Sequence, residues 1–182
     1  MPSGPSHVEL QLSPFADSLI SAVPHADIPE NQRIFTPFIG DWDLIVKWYD
    51  DKGRLSREER GEWHFSWILE GRAIQDVWIV PPRTERDGRV DLYEYGTSLR
   101  FFDGVLNAWQ STWIGPMHRI VRTFIASRTG DDVVLETTEG EVPRMRWSFT
   151  GIKTNSFIWR NELWTNSAWR IQQTFHARRL EA

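Results

Sequence analysis

From Trp42 onward the chain is a succession of short segments in which apolar and polar residues alternate at period two. Strand-like stretches fall at 42–49, 57–69, 72–80, 95–102, 105–114, 118–127, 132–138, 144–152, 156–164 and 169–179. Turn chemistry separates them: Asp50-Asp51-Lys52-Gly53, Glu70-Gly71, Pro81-Pro82 with Asp87-Gly88, Asp103-Gly104, Gly115-Pro116, Thr129-Gly130-Asp131-Asp132 and Thr165-Asn166-Ser167. Asp103-Gly104, between two aromatic-rich runs, is the sharpest hairpin signal. About ten strands joined by short turns make an antiparallel meander. Left open and without covering helices, such a sheet would expose one greasy face. Closing it into a barrel removes the edges, and a small barrel can hold one ligand. A barrel is therefore preferred over a sandwich, although alternation by itself does not separate the two.

Residues 1–41 read differently and form an arm to a single domain at 42–182. Ser13-Pro14 before Phe15, Leu19 and Ile20 predicts a short helix with Ser as N-cap and Pro in the first turn. Pro29 followed by Glu30, Asn31 and Gln32 predicts a second, with Ile34, Phe35 and Phe38 as its apolar side and Gly40 as its end. Such an arm suits a lid or plug.

All eleven tryptophans lie after position 41. Large rings dominate core energetics, and each indole brings an N–H that wants a partner when buried. A small core rarely needs so many, so some are expected to line a cavity. On the strand before Glu70-Gly71, Trp63, Phe65, Trp67 and Leu69 share one face. Trp78, Trp147, Trp159 and Trp169 can also be placed inward by alternation. Asn161 sits among apolar neighbours and is placed to orient a ligand carbonyl. The expected ligand contacts are thus Trp63, Phe65, Trp67, Trp78, Trp147, Trp159, Asn161 and Trp169. Each ring also has a plainer reading as packed core.

Three residues are candidates for acid–base chemistry. Asp76 shares a face with Trp78, and a carboxylate projecting into an apolar interior must be paired or shift its pKa. Arg72 or an indole N–H is the structural partner considered for it. His118 follows Gly115-Pro116-Met117 at a predicted rim, and His176 lies in the last strand. His64 is expected outside beside Glu62, and His7 and His25 lie in the arm. A surface or hydrogen-bonded histidine is the plainer reading for each.

Several function classes lose support. The formal net charge is −4, with 21 basic and 25 acidic residues intermixed, unlike a nucleic-acid footprint. A basic cluster at Arg119, Arg122 and Arg128 is followed at once by Asp131 and Asp132. There is no cysteine, hence no disulfide or thiolate chemistry. No histidine and carboxylate cluster has metal-ligand spacing, so no metal is expected. Glycine-rich nucleotide motifs and the Gly-X-Ser-X-Gly elbow are missing. No secretory leader and no bilayer-length apolar run is visible, so the expectation is a cytoplasmic protein without a membrane partner.

Phe38-Ile39-Gly40-Asp41-Trp42-Asp43-Leu44 resembles the Gly-X-Trp entry motif of the lipocalin and calycin barrels. Trp67-Ile68-Leu69-Glu70-Gly71-Arg72-Ala73-Ile74-Gln75-Asp76-Val77-Trp78 looks like bacterial lipocalin-like proteins of largely unassigned function. The resemblance implies an all-β, antiparallel up-and-down calycin-like barrel entered through a short helical arm. It also implies that Trp42 closes the barrel base under a basic residue from the last strand, for which Arg178 and Arg179 are the candidates. A haem-binding branch of the calycins uses a late-strand histidine, and His176 is loosely so placed, but no other feature of that branch matches. No cofactor is expected.

Three readings follow. The first is a module binding a small apolar or aromatic metabolite in an aromatic-lined cavity. The alternative is a cofactor-independent cyclase, isomerase or lyase that holds its substrate by shape and moves a proton through Asp76, His118 or His176. The third is an interaction protein whose exposed tryptophans form an oligomer interface, a homodimer being the partner considered.

Overall fold

The computed structural model describes residues 13–86 and 94–180. His7 and the Asp87-Gly88 turn lie outside the described residues. The chain begins with a short helix α1 (Pro14–Leu19), whose N-cap Ser13 accepts a hydrogen bond from the Ala16 N–H at 3.3 Å. Eleven strands follow: β1 (Ile20–Ser21), β2 (Gly40–Tyr49), β3 (Leu55–Ile68), β4 (Ala73–Val80), β5 (Glu94–Asp103), β6 (Ala108–Gly115), β7 (Ile120–Thr129), β8 (Asp132–Thr137), β9 (Met145–Lys153), β10 (Ser156–Thr165) and β11 (Ala168–Arg179). From β2 to β11 each strand pairs antiparallel with its successor, and β11 returns to pair with β2. The result is a closed ten-stranded up-and-down barrel. The two-residue β1 adds only to the end of β3, through Ile20 opposite Ile68.

Two local differences from the sequence reading have clear causes. Residues 29–38 form two separate 3-10 turns, Glu30–Gln32 and Thr36–Phe38, rather than one helix. Pro37 lies inside the predicted helix and lacks the N–H that would bond the Arg33 carbonyl, which the Thr36 N–H takes instead at 3.1 Å. After Asp103 the chain makes a longer loop, and β6 starts at Ala108 rather than 105. The Asp103 carboxylate accepts the Val105 and Leu106 N–H groups at 2.9 and 3.1 Å. That side-chain turn replaces a two-residue hairpin.

The arm fills one half of the barrel. Ile28, Ile34, Phe35 and Phe38 are buried among inward residues of the strands. Phe38 meets Phe149 at 4.3 Å and Phe157 at 5.0 Å between ring centroids, and Phe35 meets Trp109 edge-on at 5.2 Å. The Trp109 indole donates to the Gln32 carbonyl at 2.7 Å, tying the first 3-10 turn to β6. Trp42 closes the base, its N–H donating to the Phe38 carbonyl at 2.7 Å. Of the two candidate basic residues, Arg179 is the one that covers it, with its guanidinium 4.1 Å from the ring centroid. Arg179 also donates to the carbonyls of Pro37, Ile39 and Thr154. One side chain therefore joins the arm, the Gly-X-Trp segment and the β9–β10 turn.

Candidate functional site

The opposite half of the barrel is hollow. A cavity of about 280 Å³ is walled by Trp48 from β2, Trp63 from β3, Trp78 from β4, Trp113 from β6, Trp147 from β9, Trp159 from β10 and Phe175 from β11. These rings face inward because alternation puts every second residue of each strand inside. They also pack on one another. Phe175 stacks on Trp78 at 4.9 Å and lies 4.2 Å from Trp159, and Trp147 meets Trp159 edge-on at 5.3 Å. Trp113 has room because its ring lies against Gly96 of β5, where an added Cβ would stand 2.2 Å from the indole.

Polar groups enter the wall from several strands, Ser98 on β5 among them. Asn161 and Gln173 line the cavity on β10 and β11. At the open end stand Glu94, His118 and Arg122. His118, about half exposed, has its Nε2 2.9 Å from the Glu94 carboxylate. Arg122 lies 3.9 Å from Glu141.

Four of the expected contact tryptophans, Trp63, Trp78, Trp147 and Trp159, line this cavity, together with Asn161. Phe65 and Trp67 point inward but belong to the filled half: Phe65 packs near Phe38 at 6.1 Å and Trp67 near Trp109 at 6.3 Å. Trp169 is outside the barrel. A register shift sets Asn161 opposite Gln173 but Glu162 opposite Ile171, leaving Gln172 as an extra residue on β11. That bulge reverses inward and outward parity beyond it. Trp169 consequently lies against Trp164 at 5.2 Å, with the Arg146 guanidinium 4.5 Å from its ring. Sequence reading missed Trp48, Trp113, Phe175 and Gln173 as cavity residues. Phe175 and Gln173 share the parity of inward Ala177, Trp113 that of buried Trp109 and Ser111, and Trp48 that of buried Leu44 and Val46, so all four were accessible to alternation.

The acid–base candidates are scattered. Asp76 is fully buried and forms an ion pair with Arg100, itself only 1 % exposed. The partner is thus Arg100 on the neighbouring strand, not Arg72, which instead bonds Asp27 and His25 outside. Asp76 also accepts the Ser98 N–H at 3.3 Å, and the Arg100 guanidinium lies 5.1 Å over the Phe35 ring. The pair therefore sits where the filled and hollow halves meet, and Asp76 is not part of the cavity wall. His176 is on the outer surface, in a groove with Ile45, Arg60 and Ile158. Its pKa is held below the usual 6.5 by partial burial, then by Lys47, with Arg160 adding to this and Glu58 opposing. Only His118 reaches the cavity. His64 is outside, 2.6 Å from Asp41 and 3.1 Å from Glu62. Burial would raise the Glu62 pKa, but the Arg83 guanidinium, the Arg83 N–H and His64 outweigh it and hold the carboxyl down at about 2.

No family model matches the chain, and no curated protein matches it. Solved structures do. Rv2717c from M. tuberculosis superposes with a TM-score of 0.56 at 11% identity, covering 85% of this chain and 100% of that one. The S-type phycobiliprotein lyase CPES from Guillardia theta superposes with a TM-score of 0.54 at 8% identity, covering 83% and 93%. At these identities the likeness concerns the fold, and with the closed ten-stranded sheet it defines a calycin-like barrel. No helix among the described residues is long and apolar enough to cross a membrane.

Proposed function

We propose that this protein binds a small apolar or aromatic molecule in the hollow half of its barrel. The observation that carries the reading is the cavity of about 280 Å³, open at one end and walled by six indoles and Phe175. A concave, mainly apolar site with a few convergent polar groups is the usual form of a small-molecule pocket. The arm supports the same reading, because it fills the base and leaves the upper half free. A cytoplasmic setting accords with a chain that has no cysteine. Titration with two- and three-ring aromatic compounds, followed by quenching of tryptophan fluorescence, tests the proposal. Saturable quenching is the expected result, and its absence across such a panel removes the proposal.

A second reading rests on the His118–Glu94 pair at the mouth. A histidine held by a carboxylate beside a cavity can transfer a proton to or from the outer end of a bound molecule. The same barrel would then serve a cofactor-independent cyclase, isomerase or lyase, and a phycobiliprotein lyase among the similar folds accords with this reading. His118→Ala is expected to keep binding and lose turnover if this is correct. Binding without any turnover in the unmodified protein, against a panel of cyclisable and isomerisable aromatics, favours the first reading.

A further inference from the structure

We infer that the cavity reads its ligand through the carboxamide pair Asn161 and Gln173. It accordingly takes a neutral, flat molecule bearing a hydrogen-bond acceptor and donor side by side, as on a lactam edge. The inference rests on the binding reading above and specifies its chemistry. Asn161 and Gln173 are direct cross-strand partners on β10 and β11, and both line the cavity. The Trp147 N–H donates to the Asn161 Oδ1 at 3.2 Å. An indole nitrogen can only donate, so this contact fixes the amide orientation and leaves the Asn161 NH₂ as the free end. Gln173 is 7 % exposed, yet none of the hydrogen bonds found among the described residues involves its side chain. Its amide atoms are open to the cavity rather than sealed in the wall, so a ligand with a matching edge can bond them directly.

Position along the strands gives the orientation. Trp159 and Phe175 lie two residues deeper on the same two inward faces, themselves a register pair. A flat body can rest on these rings while its polar edge meets the carboxamides. The extra residue Gln172 immediately precedes Gln173 on β11, and bulges of this kind re-aim side chains beside sites. Charge recognition is not favoured, because the ionic groups at the mouth face one another as His118 with Glu94 and Arg122 with Glu141.

Calorimetric titration of the full chain with 2-quinolone and with naphthalene tests this. The two share a two-ring outline, and only the first has a carbonyl and N–H on one edge. Two added hydrogen bonds should make 2-quinolone bind at least about tenfold tighter. The side-chain amide NMR signals of Asn161 and Gln173 should move with it and stay still with naphthalene. Asn161→Leu and Gln173→Leu should each bring the two affinities within about threefold of one another. Equal affinities with unmoved amide signals, or a preference that survives both substitutions, overturn the inference while leaving the cavity reading intact. Failure of both compounds to bind overturns the inference, and the cavity reading falls with it only where the wider aromatic panel also gives no saturable quenching. The amide signals are read on the unmodified protein, so the test does not depend on the variants folding.

Discussion

At the scale of single residues, burial decides which polar groups are structural. Asp76 and Arg100 face each other in a region that water does not reach. Removing one member of such a pair leaves a buried charge uncompensated, which typically costs 3–5 kcal/mol. Arg100→Met is therefore expected to lower unfolding free energy by about 3–5 kcal/mol, measured by urea denaturation. His176 behaves oppositely: it is solvent-facing and keeps its neutral form because burial and Lys47 disfavour the charge. Its NMR titration midpoint should fall below 6.5. Because the folded value is the lower one, its contribution to stability is complete above pH 6.5 and declines as pH falls toward that midpoint.

At the scale of elements, the arm and the strand faces divide the barrel between them. Phe38 is fully buried among Phe65, Phe149 and Phe157. Phe38→Ala should cost about 3–5 kcal/mol through lost burial and the void it leaves, again read by denaturation. Gly96 sets the cavity wall by giving the Trp113 ring a surface without a Cβ. Gly96→Ala should push that indole away and destabilise by about 1–3 kcal/mol. A changed Trp113 indole resonance would accompany it. The strand pattern was legible in the sequence because both barrel faces are chemically distinct and the turns carry Gly, Pro, Asn and Asp. Trp169 was not legible in the same way: its side depends on one extra residue at Gln172, and no local composition marks that bulge. The Asp76 partner was also hidden, since Arg72 is near in sequence while Arg100 is near only through β4–β5 pairing.

At the scale of the whole molecule, ionic contacts on the outer surface set acid sensitivity. Glu62 is held at about 2, well below 4.5, by Arg83 and His64 acting against its burial. A lowered carboxyl pKa gives stability that is complete above about 4.5 and is lost as pH falls toward about 2. Arg83 is more than half exposed, so solvent screening limits this to on the order of 1 kcal/mol. Denaturation series at pH 5 and below should show that increment disappear in Arg83→Ala relative to the unmodified protein.

The sequence by itself determined the ten alternating strands and the supply of inward rings, because these depend on local periodicity and turn chemistry, while the barrel-base place of Trp42 followed from the resemblance of its Gly-X-Trp segment to calycin barrels. Only the tertiary structure decided which rings enclose space and which fill it. That division depends on how far the arm reaches into the barrel, on one bulge in β11 and on a glycine of β5 against the Trp113 ring. Each acts between residues distant in sequence, where volume and register, rather than pattern, fix the outcome. The eleven indoles thus sort into one base, six cavity walls, two that pack inside the filled half and two outside.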